Sequence, residues 1–253
     1  VVHLVLRRHA PHASVVDLTH AIAVHDVRAG ALALWRAAPW LDSAVVLGLV
    51  DPLGGGGSRP VAVEVHRSGD SDGAVFLVGP DNGLLTPALH RMGGAGRVVR
   101  IPGGGGTFVG RDVLAPAAAR LAAGAGLVSL GTQFDPAELV GGPLVPVEVA
   151  GEVAAEVGVE VTAEVWGVDR FGNVQLGLVP AGLGPGPFTV EVPGRAGSHP
   201  AVLASSYGDL PPGVFGVIPD ADGLVSLSLA RGPAAPVLGA GPGVQFRLRG
   251  PAA

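Results

Sequence analysis

The chain has no cysteine and no lysine; all sixteen of its basic residues are arginine. Without cysteine there is no disulfide, no thiolate nucleophile and no thiolate metal ligand. Without lysine there is neither a Schiff-base amine nor a P-loop lysine, because a guanidinium does not deprotonate. Charge is scarce altogether, at 15% of residues with a net −5, and no basic cluster offers a footprint for a phosphate backbone. Arg, Asp, Gly or Pro interrupts every apolar run, so none reaches the roughly 18–20 residues of a membrane-spanning helix. The opening VVHLVLRRHAPHA lacks the ordered basic, apolar and small-residue zones of a signal peptide. His3, His9, His12, His66, His90 and His199 show no metal-ligand spacing such as H-E-x-x-H, so no catalytic metal and no cofactor are expected. The expectation is a cytoplasmic protein with neither a nucleic-acid nor a membrane partner.

What the chain does have is apolar residues: 48% of 253, enough for a sizeable core in one large domain or two ordinary ones. Up to about residue 140 the pattern alternates. VVHLVLRRHA reads as a helix ended by Pro11, and ASVVDLTH as a buried strand. HDVRAGALALWRAAPWL carries apolar residues at helical spacing. SAVVLGLVDP, VAVEVHR and AVFLVGPDNG read as strands, LLTPALHRM as a helix, and DVLAPAAARLAAGA as a helix in which Pro116 imposes a kink or a late start. Such alternation predicts an α/β domain over 1–140 with a largely parallel sheet. Beyond it, VEVTAEVWGV, FTVEVPG, GVFGVIPD, LVSLSLA and VQFRLRG alternate with period two between Gly and Pro breaks. They predict an antiparallel β domain, a barrel or sandwich, over 155–253. The boundary is expected within 135–160, and the Gly-rich pieces 54–57 and 103–106 read as loop tips.

Polar islands stand out against this background: VVDLTH (15–20), GPDNGLL (79–85), TFVGRDVLAPAAA (107–119) and VDRFGNVQL (168–176), with HDVRAGALAL (25–34) between the first two. In order and spacing they resemble the S-adenosylmethionine (SAM) hydroxide adenosyltransferase family, relatives of the SAM-dependent fluorinases and chlorinases. The resemblance spans nearly the whole chain. The family usually begins upstream, with a strand and an acidic loop whose Asp holds the ribose hydroxyls; Val1 would then fall in the first helix after that loop.

The resemblance implies hydrolysis of SAM to adenosine and L-methionine by displacement at C5′. Water is a poor nucleophile at neutral pH, so a carboxylate and basic partners must orient or deprotonate it. The family's DPGVGTxRR motif, whose Asp belongs to an Asp–Arg–His triad, is matched by DPLGGGGSRP (51–60). Asp51 is retained, Ser58 stands at the first Arg, and Arg59 matches the second. The triad His of TFHGRD is Val109 in TFVGRD. The catalytic candidates are therefore Asp51 and Arg59.

For the substrate, the resemblance points to Phe108 and Gly110 as pocket lining, Asp169 on the methionine ammonium, Phe171 as a wall, Asn173 as donor and acceptor, and Arg231 on the methionine carboxylate. Ala221, in DADGLVSLSLARG, replaces the serine that would hold that carboxylate. Arg111 and Asp112 are expected to fix their loop and cap the helix after it. Asp81 and Asn82 are expected to make a tight turn into a helix, and Asp17 and His20 to be structural. The family resembles homotrimers whose site lies between one subunit's N-terminal domain and the next one's C-terminal domain.

Two readings lead at this level, with a scaffold that binds no nucleoside as a third. One is the hydrolase. The other is a SAM- or adenosine-binding protein without catalysis, suggested by Val109, Ser58 and Ala221. A halogenating version is disfavoured, because Gly54 and Gly110 offer no hydroxyl where a halide would sit and residues 66–74 leave no room for that branch's extra loop.

Overall fold

In the computed structural model, which describes residues 1–52, 57–66, 73–103, 106–149, 158–195 and 197–251, contacts divide the chain into Val1–Leu144 and Val145–Ala253. The expectations for Gly54, for most of 54–57 and 66–74, for 104–105 and for part of the 135–160 boundary fall outside the described residues.

The first unit is a five-stranded sheet with helices on both faces. Its helices are α1 (Val2–His9), α2 (Val27–Ala37), α3 (Thr86–Arg91) and α4 (Ala115–Ala122). Its strands are β1 (Ala44–Leu47), β2 (Arg59–Val65), β3 (Val75–Asp81), β4 (Ala95–Arg100) and β5 (Thr132–Phe134), in spatial order β1-β3-β2-β4-β5. Pleating sends alternate residues to opposite faces. Val61, Val63, Leu77 and Val98 pack with Leu34, Leu84 and Leu89 from the α2 and α3 side. Ala62, Val78 and Val99 pack with Leu114, just before α4, and with Ala118 and Leu121 of α4, and Leu6 of α1 joins them. Asp26 caps α2, its carboxylate accepting from the Ala29 N–H at 2.8 Å. Pro116 sits in the first turn of α4, and one π-helical turn, Gly110–Leu114, precedes it, so the late start is realised.

The α/β class holds, but the sheet is mixed rather than largely parallel. Only β1–β3 is parallel; β2–β3, β2–β4 and β4–β5 are antiparallel. Strand–helix alternation predicts which strands share a direction, not which become neighbours. Here β1, β3 and β4 run the same way and β2 inserts between β3 and β4. The connection from β2 to β3 is also too short for the crossover a parallel pair needs. A second correction concerns ASVVDLTH, which forms no strand. Residues 13–19 carry no regular structure, and Val15, Val16 and Leu18 are exposed. A β-branched run has the side-chain preference for a strand, yet its backbone finds no ladder partner among the described residues.

The second unit is a closed seven-stranded barrel. Its strands are β6 (Val159–Val168), β7 (Val174–Leu176), β8 (Phe188–Glu191), β9 (His199–Leu203), β10 (Phe215–Pro219), β11 (Val225–Leu229) and β12 (Gln245–Gly250), with a short helix α5 (Ala234–Leu238). The spatial order is β10-β11-β7-β6-β12-β8-β9, closing from β9 back to β10. That last pairing is parallel and the other six are antiparallel, so the barrel too is mixed. Closure removes exposed strand edges. Along β6, Val159, Val161, Ala163 and Val165 point into a core with Phe188, Val217, Leu227 and Phe246, while Glu160 and Thr162 face out. No helix among the described residues is long and apolar enough to cross a membrane.

Candidate active site

In open α/β sheets ligands bind beyond the carboxyl ends of strands, and Asp51 lies just past the end of β1. Its position is built by neighbouring side chains. The Asn82 amide donates to the Val50 carbonyl at 3.0 Å, and the Asn82 carbonyl oxygen takes the Leu84 N–H at 3.1 Å, closing the turn into α3. The GPDNGLL island therefore positions the Asp51 loop, in keeping with its expected structural part. Ser58 donates its hydroxyl proton to Asp51 Oδ1 at 3.1 Å. At the sequence level Ser58 registers only as a lost arginine; in the structure it holds the carboxylate itself.

Arg59 is anchored. Its Nε donates to Asp81 Oδ2 at 2.9 Å, its Nη2 to the same oxygen and to the Glu138 carbonyl at 2.7 Å, and its guanidinium lies 4.7 Å from the Phe134 ring centroid. Asp81 Oδ1 takes the Val140 N–H at 2.8 Å, and Thr86 donates to the Val140 carbonyl. These bonds clamp residues 136–140 to the start of β2, beside Ser58.

The TFVGRD segment reaches the same strand end. A Cβ at Gly110 would lie 3.3 Å from Leu49 Cδ2, two residues before Asp51. Phe108 is 60% exposed, with the Arg111 guanidinium 4.6 Å from its ring centroid. Val109 packs partly buried against the core on the α4 side, as an apolar residue at that position dictates. The expected cap by Asp112 is not formed. Its carboxylate takes the Arg111 guanidinium in two bonds of 2.6 and 2.8 Å, and no side chain caps the turn that follows. A charge-assisted pair between neighbours outcompetes a bond to a free N–H. An open hollow of about 320 Å³ is lined by Ile101, Asp112, Val113, Pro116 and Leu130 among others; none of the candidate site residues borders it.

In the second unit, Asp169 to Asn173 form the turn between β6 and β7. Asp169 Oδ1 accepts from the Phe171 and Asn173 N–H groups at 2.8 and 2.9 Å, and Oδ2 from the Asn173 amide at 2.8 Å. Desolvation raises the Asp169 carboxyl, but the Asn173 side chain and the backbone bonds from Asn173, Phe171 and Gly172 outweigh it and hold it below its ordinary value. A depressed carboxylate stabilises the turn in full above its unfolded pKa, about 3.9. That contribution is lost only as pH falls below this through the folded value. Phe171, 65% exposed, is left standing on the surface with the Arg170 guanidinium 4.7 Å from its centroid.

Gly172 is required here twice over. Its φ is +83°, and a Cβ would fall 2.5 Å from Pro233 Cβ. Because Pro233 is backbone-fixed and cannot swing away, Gly172→Ala is expected to lower stability by about 1–3 kcal/mol. The measurement is thermal unfolding; an unchanged midpoint would mean that the turn is not held as described.

Arg231 is exposed, with a left-handed φ of +61°, and makes no ion pair among the described residues. Gln175, which carried no sequence signal, donates its amide to Asp220 at 2.6 Å and to Asp222 at 2.9 Å, fixing the DADG loop beside β7. The Asp220 carboxylate in turn takes the Asp222 and Leu224 N–H groups.

The chain thus pairs a mixed α/β unit that carries a carboxylate past a strand end with a barrel whose tight Asp–Asn turn presents an aromatic ring. Residues 1–131 match the SAM hydroxide adenosyltransferase N-terminal domain and residues 163–247 the SAM hydroxide adenosyltransferase C-terminal domain, and the chain belongs to that family. It is similar to the (R)-S-adenosyl-L-methionine hydrolase of Salinispora arenicola, 41% identical over 97% of this chain and 90% of the relative. It is also similar to that of Thermus thermophilus, 36% identical over 98% and 92%. Among solved structures, an uncharacterized conserved protein from Thermotoga maritima superposes with a TM-score of 0.80 at 25% identity, covering 98% of this chain and 93% of that one.

Proposed function

We propose that the chain is a SAM hydrolase. Water attacks the ribose C5′ carbon of SAM from the side opposite the sulfonium. A C5′–O bond forms as the C5′–S bond breaks, the electron pair goes to sulfur, and methionine departs as a neutral thioether that needs no acid. The water proton passes to Asp51 or solvent, and the products are adenosine and L-methionine. The observation that carries this reading is the Asp51 carboxylate at the end of β1, fixed by the Ser58 hydroxyl at 3.1 Å, in a chain of this family.

Asp51 accepts a hydrogen bond from the attacking water and aims its lone pair. Arg59 assists as a positioning residue by holding the start of β2, next to Ser58. Phe108 and Gly110 line the pocket, Asp169 takes the methionine ammonium, Phe171 walls the ligand, Asn173 hydrogen-bonds it, and Arg231 meets the methionine carboxylate. Asp169 has lone pairs beyond those that hold its own turn, so both duties are compatible. The relatives' names specify the (R) sulfonium epimer, and the same preference is proposed for this chain. A homotrimer is proposed as the working assembly.

The test is turnover in H2¹⁸O. Adenosine carrying ¹⁸O at the 5′ position, with one methionine per adenosine, is expected, and light scattering should give three chains per particle. SAM binding without turnover would overturn the reading in favour of a binding protein. A 5′-halo-adenosine in the presence of chloride or fluoride would overturn it in favour of a halogenase.

A further inference from the structure

Away from the candidate active site, two histidines converge on a single carboxylate oxygen. His3, in the first turn of α1, and His20, after the extended segment 13–19, place their Nε2 atoms 2.8 and 3.1 Å from Asp17 Oδ1. The three donor atoms all lie within 4.8 Å of one another. The rings approach from different directions, with centroids 6.2 Å apart and planes inclined at 55°, so they are not stacked on each other. All three side chains are exposed, open to an incoming ion and its remaining water. His3 and Asp17 are fourteen positions apart, so only folding brings this set together, and no local spacing motif announces it.

We propose that His3, Asp17 and His20 bind one divalent transition-metal ion of the zinc class. Two imidazole nitrogens and a carboxylate oxygen suit zinc, cobalt or nickel and not magnesium or calcium, which take all-oxygen sets. Three protein ligands with water in the fourth position complete a tetrahedron. At metal–ligand bonds of about 2.0–2.1 Å, ligand atoms in such a site lie about 3.3–3.4 Å apart. Both imidazole nitrogens, at 2.8 and 3.1 Å from Asp17 Oδ1, move outward from it to admit the ion, with all three ligand atoms already within 4.8 Å of one another. The Nε2 atoms bind through their lone pairs, so any proton they donate to Asp17 in the empty site moves to Nδ1 or to solvent.

The ion would clip α1 to the segment that leads into α2, a stretch with no strand or helix of its own from residue 13 to 19. The site takes no part in displacement at C5′ and does not rest on the SAM reading.

The experiment uses the full chain, stripped with chelator. Calorimetric titration with zinc chloride is expected to give one site per chain, and cobalt(II) to show the visible d–d bands of a four-coordinate ion. His20→Ala and Asp17→Asn should each weaken zinc binding by roughly tenfold or more, since even outer-shell partners of metal ligands are worth that much. His12→Ala, at an exposed histidine outside the cluster, should leave it unchanged. Zinc should raise the unfolding temperature of the native chain but not of His20→Ala. The proposal is overturned if zinc binding does not saturate, if His20→Ala binds as tightly as the native chain, or if His12→Ala weakens binding as much.

Discussion

Asp51→Asn is expected to abolish most turnover while leaving the protein folded and able to bind SAM. The asparagine carbonyl still accepts the Ser58 hydroxyl, so the 3.1 Å bond survives. What is lost is the negative charge that orients the attacking water and receives its proton. Groups in that role contribute about 10²–10⁴-fold, so kcat should fall by that factor, with the Kd for SAM changed little. The split matters because KM or Kd reports the pocket, whereas an interaction made only in the transition state lowers kcat and kcat/KM together. Where the resemblance places a histidine and an arginine, this chain has Val109, packed against apolar neighbours, and Ser58. On the proposed reading Asp51 is the group that handles the water, and its removal should be correspondingly severe. Asp51→Asn turning over at the native rate would sink the assignment. An equal loss of binding and rate would place Asp51 in substrate binding instead.

How much of this was legible before folding depended on whether the signal was local. Period-two alternation over VEVTAEVWGV marked β6, and apolar residues at helical spacing over HDVRAGALALWRAAPWL marked α2. ASVVDLTH carried the same kind of local signal and misled, because a strand also needs a neighbour. Sheet direction failed for a related reason: alternation with helices says nothing about β2 slipping between β3 and β4. Within the site, Asp51 and the Asp169–Asn173 turn were readable through motifs whose residues act within a few positions of each other. Ser58 was readable only as a departure from the family, since no local pattern announces its bond to Asp51 seven positions away. The pairings of Gln175 with Asp220 and Asp222 across some forty-five positions, and of His3 with Asp17, left no local sequence trace.

The second large effect expected is on stability. Arg59→Leu should lower it by about 3–5 kcal/mol, because it strands a buried carboxylate. The Asp81 side chain is 2% exposed and that of Arg59 33% exposed, so the cost falls on the acid left behind. Its remaining partner, the Val140 N–H at 2.8 Å, does not neutralise it. The expected drop in the unfolding midpoint is roughly 10 °C. Asp81→Asn should cost less. The amide still accepts a bond from Arg59, the cation left unpaired is partly in water, and the Glu138 carbonyl and Phe134 ring continue to hold it. Combining the two changes closes a double-mutant cycle, and a coupling energy of about 1 kcal/mol or more is expected for residues in direct contact. Read below its lowered midpoint, Arg59→Leu also separates the two parts of the machinery. As a positioning residue, Arg59 acts on Asp51 only through Ser58 and the start of β2, so its loss should depress kcat by less than Asp51→Asn does. A kcat as low as that of Asp51→Asn, at a temperature where the variant is fully folded, would instead put the guanidinium in contact with the reacting groups.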